Sequence, residues 1–205
     1  MTKLFLYGSI SSPLIPLFIM GLMFRSFNFN LKVLSVIIGL SFLSDVGSFG
    51  YYHLTGHSTY WIVNTYNLLD TILVFFFFSR ILNHRLVSYF MLGIILVMSG
   101  YYCYSVGVHV IWGEVLSMKN ILVMGLCVLY FLQVFQSDTE IFLENTPLFW
   151  IVIGFIFYTA GSFFLWLMSS EIVNNPKYSM LIVHLGNILK NILFALGLWK
   201  ARVVN

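Results

Sequence analysis

Seven long apolar runs, each about as long as a bilayer's hydrocarbon core is thick, dominate this chain of 205 residues. A helix rises about 1.5 Å per residue, so crossing about 30 Å of hydrocarbon takes about 20 residues. The runs fall at 4–24, 33–53, 60–80, 86–106, 116–136, 147–168 and 178–200. In hydrocarbon every backbone polar group must be satisfied internally, which leaves helices or closed barrels. A barrel strand alternates its two faces over about ten residues. The stretches 74–78 and 151–157 have no polar alternation at all. The sequence therefore predicts an all-α polytopic membrane bundle of seven transmembrane helices, forming a single domain over residues 1–205.

Composition narrows the function classes. Hydrophobic residues make up 60% of the chain and charged residues 8%, against about 25% charged in an average soluble protein. A soluble domain of this size must cover itself with polar atoms and has no place for so much apolar surface. A soluble enzyme, a nucleic-acid-binding domain and a disordered chain are excluded. The expected partners are membrane lipids, with no nucleic acid, and the expected location is the inner (cytoplasmic) membrane as a multi-pass protein. The net charge of +3 reflects topology. Lys3 ahead of the first run gives it a signal-peptide look, but Pro13 and Pro16 interrupt it and it is long enough to span. Cys103 is expected near one membrane face and Cys127 near mid-depth, too far apart for a disulfide.

Arginine and lysine orient the bundle, since cytoplasmic loops carry their excess. Arg25, Lys32, Arg80, Arg85, Lys200 and Arg202 fall on one side. Lys3, Lys119, near the start of the fifth helix, and Lys177 fall on the other. This predicts the N-terminus outside and the C-terminus in the cytoplasm. The acidic stretch 137–146, with Asp138, Glu140 and Glu144, is cytoplasmic on this reading; acidic residues count little in the rule. Asn174, Asn175 and Pro176 mark a turn before the seventh helix.

A short likeness links the third and seventh helices, 64–73 with 184–193, and Gly47-Ser48-Phe49 parallels Gly161-Ser162-Phe163. Both fit a parallel repeat of three helices, a linker helix and three more. Short matches are easily found in a sequence so rich in Leu, Ile and Phe.

The chemistry lies in the charges inside the spans. Asp45, Asp70 and Lys190 all count to mid-depth. On insertion scales each costs about 2.5–3.5 kcal/mol at the centre of an isolated helix, and such residues face the bundle interior. They are expected to converge, with Lys190 paired to one aspartate and the other aspartate protonated or hydrogen-bonded. Helical spacing gathers polar residues beside them. Ser41, Ser44, Asp45, Ser48 and Tyr52 share an arc of the second helix. Tyr60, Asn64, Asn67 and Thr71 form a stripe on the third with Asp70 at its edge. His184, Asn187 and Asn191 do so on the seventh, with Lys190 at its edge. Three such stripes make either a cavity or hydrogen-bonded helix contacts. The candidate binding or switch residues are Asp45, Asn64, Asn67, Asp70, His184, Asn187, Lys190 and Asn191; no catalytic residue is assigned.

His53 and His57 have the i, i+4 spacing of metal ligands, but they straddle a helix end at Gly56 and no closed four-ligand set is visible. No metal and no cofactor are expected. Tyr101, Tyr102, Tyr104, Trp112 and Trp61 suit an outer aromatic belt, and Trp199 a cytoplasmic one. Phe75–Phe78 circles its helix, so it reads as part core and part lipid contact. Gly93, Gly107, Gly154 and Gly161 read as sites of close helix approach.

At His184-Leu185-Gly186-Asn187-Ile188-Leu189-Lys190-Asn191 the chain resembles small seven-helix bacterial membrane proteins, similar to the membrane-sensing portions of some histidine kinases. That resemblance implies a sensory or ligand-binding bundle without chemistry of its own, coupled to a signalling partner in the membrane or cytoplasm. Gly39-Leu40-Ser41-Phe42-Leu43-Ser44-Asp45 is similar to the early Gly-Asp helix of lysoplasmalogenase-type hydrolases, with Ser44 in the place of that glycine. Their late Ser-Asp pair is missing, because Thr159-Ala160-Gly161-Ser162 has no aspartate. This resemblance implies the alternative of a lipid-directed hydrolase using Asp45 and Asp70. A small-solute transporter built on the repeat is a further alternative. Lys190 resembles the retinal lysine of microbial rhodopsins in depth only, since Gly186 stands where their aspartate would be.

Overall fold

Pro13 shapes the first span, because proline has no N–H to give a helix and its ring crowds the preceding turn. In the computed structural model, which describes residues 2–136, 143–167 and 176–202, α1 (Thr2–Ser11) stops there and α2 (Leu14–Met23) restarts from it. The Ser12 N–H still reaches Gly8 O at 2.9 Å, and Pro13 O accepts from Leu17 N–H at 3.0 Å. The two pieces therefore form one bent span.

The other helices are continuous. Helix α3 (Phe29–Thr55) opens at Asn28, whose Oδ1 accepts the Leu31 N–H at 3.0 Å, a side-chain cap for one orphan donor. It closes at Gly56, whose φ of 69° is the left-handed region that favours glycine. Helices α4 (Tyr60–Ile81), α5 (Arg85–Ser105), α6 (Gly113–Gln136), α7 (Pro147–Leu167) and α8 (Pro176–Lys200) follow. Among the described residues six helices are long and apolar enough to cross a membrane, and Pro147–Phe163 is a shorter apolar one. The residues at 137–142, and Asn174 and Asn175 of the anticipated turn, lie outside the described residues.

The helices pack in chain order around a ring. Each contacts the next, α8 closes the ring against α1 and α2, and α4 reaches across to α6. Short connections at 56–59, 82–84 and 106–112 make neighbours antiparallel. The tightest seam is α7 on α8. A Cβ at Gly197 would lie 2.8 Å from Pro147 O and 2.7 Å from Ile151 Cγ1, and one at Gly154 would lie 2.9 Å from Phe194 Cε1. Small residues are what let membrane helices approach this closely. Gly154 has the role anticipated for it, but Gly93 faces open space, and a Cβ at Gly161 would meet Ile182 at an ordinary 3.9 Å. Gly107 serves a turn instead, with φ 82°.

The core is aromatic on the α7 side. Phe75, Phe77 and Phe78 are fully buried, so the phenylalanine run is more core than lipid contact. Phe155 touches Phe77, Phe78 and Phe194. Trp112 departs from the belt expected of it. It is buried, and its Nε1–H donates to Gly107 O at 2.9 Å, fastening the α5–α6 connection. Tyr101, Tyr104, Trp61 and Trp199 are exposed, as a belt requires.

One end of the bundle gathers cations over aromatic rings. Lys32 sits over Phe24, Arg80 over Phe29 and Arg202 over Trp199, while Lys200 Nζ donates to Asn145 Oδ1 at 3.3 Å. The α2–α3 and α4–α5 turns and the C-terminus of α8 share this end.

Candidate functional site

The polar face of α3 opens into a vestibule of about 490 Å³ at the opposite end of the bundle. Ser41, Ser44, Asp45, Ser48 and Tyr52 all line it, so the arc read from the sequence is one wall. From Tyr52 to Ser41 the wall descends about 16 Å at the helical rise of about 1.5 Å per residue, roughly half a bilayer core. Asn67 of α4 and His184 and Asn187 of α8 add to the polar lining.

Below it lies a second, smaller cavity of about 20 Å³, room for about one water. Asp70, Lys119, Asn120, Lys190 and Asn191 line it. Ser41, Tyr66 and Tyr158 line both spaces and form the collar between them.

The ion pairing differs from the sequence expectation. Among the described residues the one ion pair closer than 4 Å joins Asp70 to Lys119, which also donates a short hydrogen bond to that carboxylate. Lys190 is buried and rests its Nζ 4.1 Å from the ring centroid of Tyr158, a cation–π contact. The cluster therefore has two carboxylates and two ammoniums whose formal charges cancel, and the second aspartate, Asp45, has the hydrogen-bonding neighbour expected of it in Asn187. Asp45 and Asp70 both lie in the field of Lys190, and the Asn187 amide lies beside Asp45.

A fifth helix beginning at 116 would leave Lys119 near the bundle surface. Helix α6 begins at Gly113, and by its second turn Lys119 has entered the interior, 8% exposed. Its removal from the outer loops leaves Lys3 and Lys177 against the six cations of the other end. Tyr66, Asn120 and Tyr158 also escaped the sequence reading. Tyr66 lies four residues before Asp70, a spacing that places the two on one face of α4.

Several of the remaining candidates also bond helices and connections. Asn187 Nδ2 donates to Ser9 Oγ at 3.0 Å, and Asn191 Nδ2 to Ser12 Oγ at 2.8 Å, so both tie α8 to the bent first span. Such interhelical hydrogen bonds average about 0.6 kcal/mol each. Asn64 lines neither the vestibule nor the lower cavity. Its Nδ2 donates to Val108 O at 3.0 Å and Val110 O at 2.8 Å and braces the α5–α6 connection. Asn64 faces α5 and α6, not the α3 side where Asp45 lies. Asn67 donates to Val63 O at 2.8 Å within its own helix and still faces the vestibule. His53 and His57 are both exposed, and Gly56 ends α3 between them.

No protein-family model, curated protein or solved structure matches the chain. Fold and site together define a polytopic helical membrane protein with a buried Asp70–Lys119 pair.

Proposed function

We propose that the chain is a sensory or ligand-binding bundle of the cytoplasmic membrane, with no chemistry of its own. The single observation that carries this is the vestibule. Its volume falls in the range of about 300–1,000 Å³ typical of small-molecule sites, and polar groups converge on it from α3, α4 and α8. It ends on a collar that separates it, and Asp45 in its wall, from Asp70, Lys119 and Lys190. A ligand pressing on Tyr158 would act on the ring that carries Lys190, which makes the charges below the collar a switch element for a signalling partner. The resemblance of the α8 stretch to sensor-type seven-helix proteins supports the same reading. The hydrolase alternative loses support from the pairing, because Lys119 occupies Asp70 while Asp45 lies in the other space. The repeat-based transporter loses support from the first span, which breaks at Ser12–Pro13 where α6 runs unbroken.

Filling the vestibule tests the proposal. A chemically diverse set of small molecules is expected to include compounds that raise the melting temperature of wild-type protein in detergent by several degrees. The same compounds should leave Ser48→Trp unmoved. Equal shifts in the two proteins would mean that binding occurs elsewhere, and the proposal would fall.

The six cations at the far end support an outside N-terminus, with the vestibule open to the exterior. A reporter that fluoresces only in the cytoplasm, fused to Asn205, is expected to be bright. A dark fusion with normal expression would reverse the orientation.

A further inference from the structure

We infer that the vestibule takes a small organic cation, an amine or quaternary ammonium, with Asp45 as counter-ion and the rings of Phe49, Tyr52, Tyr66 and Tyr158 as walls. This rests on the ligand-binding reading above and narrows it to one class of ligand. Among the described residues that line the vestibule, Asp45 is the one Asp, Glu, Lys or Arg. Both lysines of the cluster lie on the other side of the collar. Lys119 is held by Asp70, and Lys190 rests on the Tyr158 ring. Asp45 makes no ion pair closer than 4 Å, and Lys190, whose field it shares, balances it only from beyond the collar. Among the described lining residues an anion would meet a half-buried carboxylate and no guanidinium or ammonium to receive it. A cation would meet its counter-charge in a space partly sheltered from water, where such attraction is screened less.

The walls suit the same ligand. Aromatic faces are electron-rich and attract alkylammonium groups within about 6 Å of the ring centroid. Tyr158 already holds this chain's own Lys190 ammonium in that way at 4.1 Å. A bare metal ion fits poorly, since one carboxylate, one imidazole and aromatic rings do not make a closed ligand set. The wall also carries one hydroxyl left unspent. Ser35, Ser105 and Ser117 spend their hydroxyls on the carbonyl four residues back. Ser48 Oγ is shielded from solvent and makes no hydrogen bond among the described residues, although it lines the vestibule one helical turn from Asp45.

The test compares ligands of one shape and different charge. The full chain is placed in nanodiscs of uncharged phosphatidylcholine, so that lipid charge attracts none of the probes. Benzylamine, benzyltrimethylammonium, benzyl alcohol and benzoate are then titrated calorimetrically. Both cations are expected to bind at least 10-fold more tightly than the alcohol, and benzoate more weakly than either cation. Asp45→Asn should remove the advantage of the cations and leave the alcohol's affinity unchanged. Asp45→Glu should keep the ranking. The wild-type ranking is decisive by itself if Asp45→Asn does not fold. Alcohol or benzoate binding as well as the amines overturns the inference, and if that binding is lost in Ser48→Trp the ligand-site reading survives. Failure of all four probes at millimolar concentration overturns the inference too. If the diverse compound set also finds no ligand that Ser48→Trp excludes, both readings fail together.

Discussion

Replacing Lys119 with Met is expected to destabilise the protein by about 3–5 kcal/mol, the largest loss of any single neutral substitution in the bundle. The cause is the carboxylate left behind. Asp70 would remain in a cavity of about 20 Å³ between α3, α4, α6, α7 and α8 with its direct partner gone. Removing one member of a buried pair strands the other charge, whereas replacing both members with apolar side chains is often neutral or stabilising. Asp70→Leu combined with Lys119→Met is therefore expected to regain most of the loss. Thermal unfolding in detergent, followed for wild type, both single variants and the double variant, gives the coupling energy directly. Additive single losses with no rescue would show that the pair contributes nothing as a pair. Asp70 and Lys119 sit on α4 and α6, the two helices that meet across the ring. Their bond also fixes how those helices face each other.

The architecture was legible because bilayer thickness is written into the length of each apolar run. Six of the helices match the predicted runs to within about four residues at each end where described. The first span was read correctly in extent, and its prolines marked the break that divides it into α1 and α2. The arc on α3 was legible for a related reason. Period-3.6 spacing assigns serines and an aspartate to one face whatever the neighbours do. Partner choice was not legible. Which carboxylate Lys190 meets depends on the rotation and depth of neighbouring helices, and a start three residues earlier in α6 carried Lys119 from the surface into the cluster. Asn64 shows the same limit from the other side. Its place in the α4 stripe was read correctly, but the ring geometry turns that part of α4 toward α5 and α6. The tyrosines of the collar escaped because an aromatic ring in a span ordinarily signals packing. Their distinction comes from what lies on either side of them.

Lys190→Glu is expected to be the most damaging change of all, at about 5 kcal/mol or more, read as failure to accumulate in the membrane. With all four groups ionised the cluster is formally neutral. Lys190→Met leaves one carboxylate without a counter-charge. Lys190→Glu leaves two, and buries a new carboxylate against the π-face of Tyr158, where the ring's negative quadrupole repels it. Each uncompensated carboxylate at mid-membrane costs about 2.5–3.5 kcal/mol on insertion scales, which sets the size of the effect. Lys190→Met should be milder, about 1–3 kcal/mol, because Lys190 makes no direct ion pair and its loss removes a cation–π contact and a more distant field. The identity of the stranded group follows from the pairing. Asp70 keeps Lys119, so Asp45 is the one left without compensation. Asp45→Asn should accordingly rescue Lys190→Met, whereas Asp70→Asn should worsen it by stranding Lys119. Tyr158→Leu, which removes the ring under Lys190, should lower stability in the wild-type background and have a smaller effect in Lys190→Met. Rescue by Asp70→Asn in place of Asp45→Asn would mean that Lys190 is the true partner of Asp70. A normally accumulating Lys190→Glu protein would show that the four charges do not share one field.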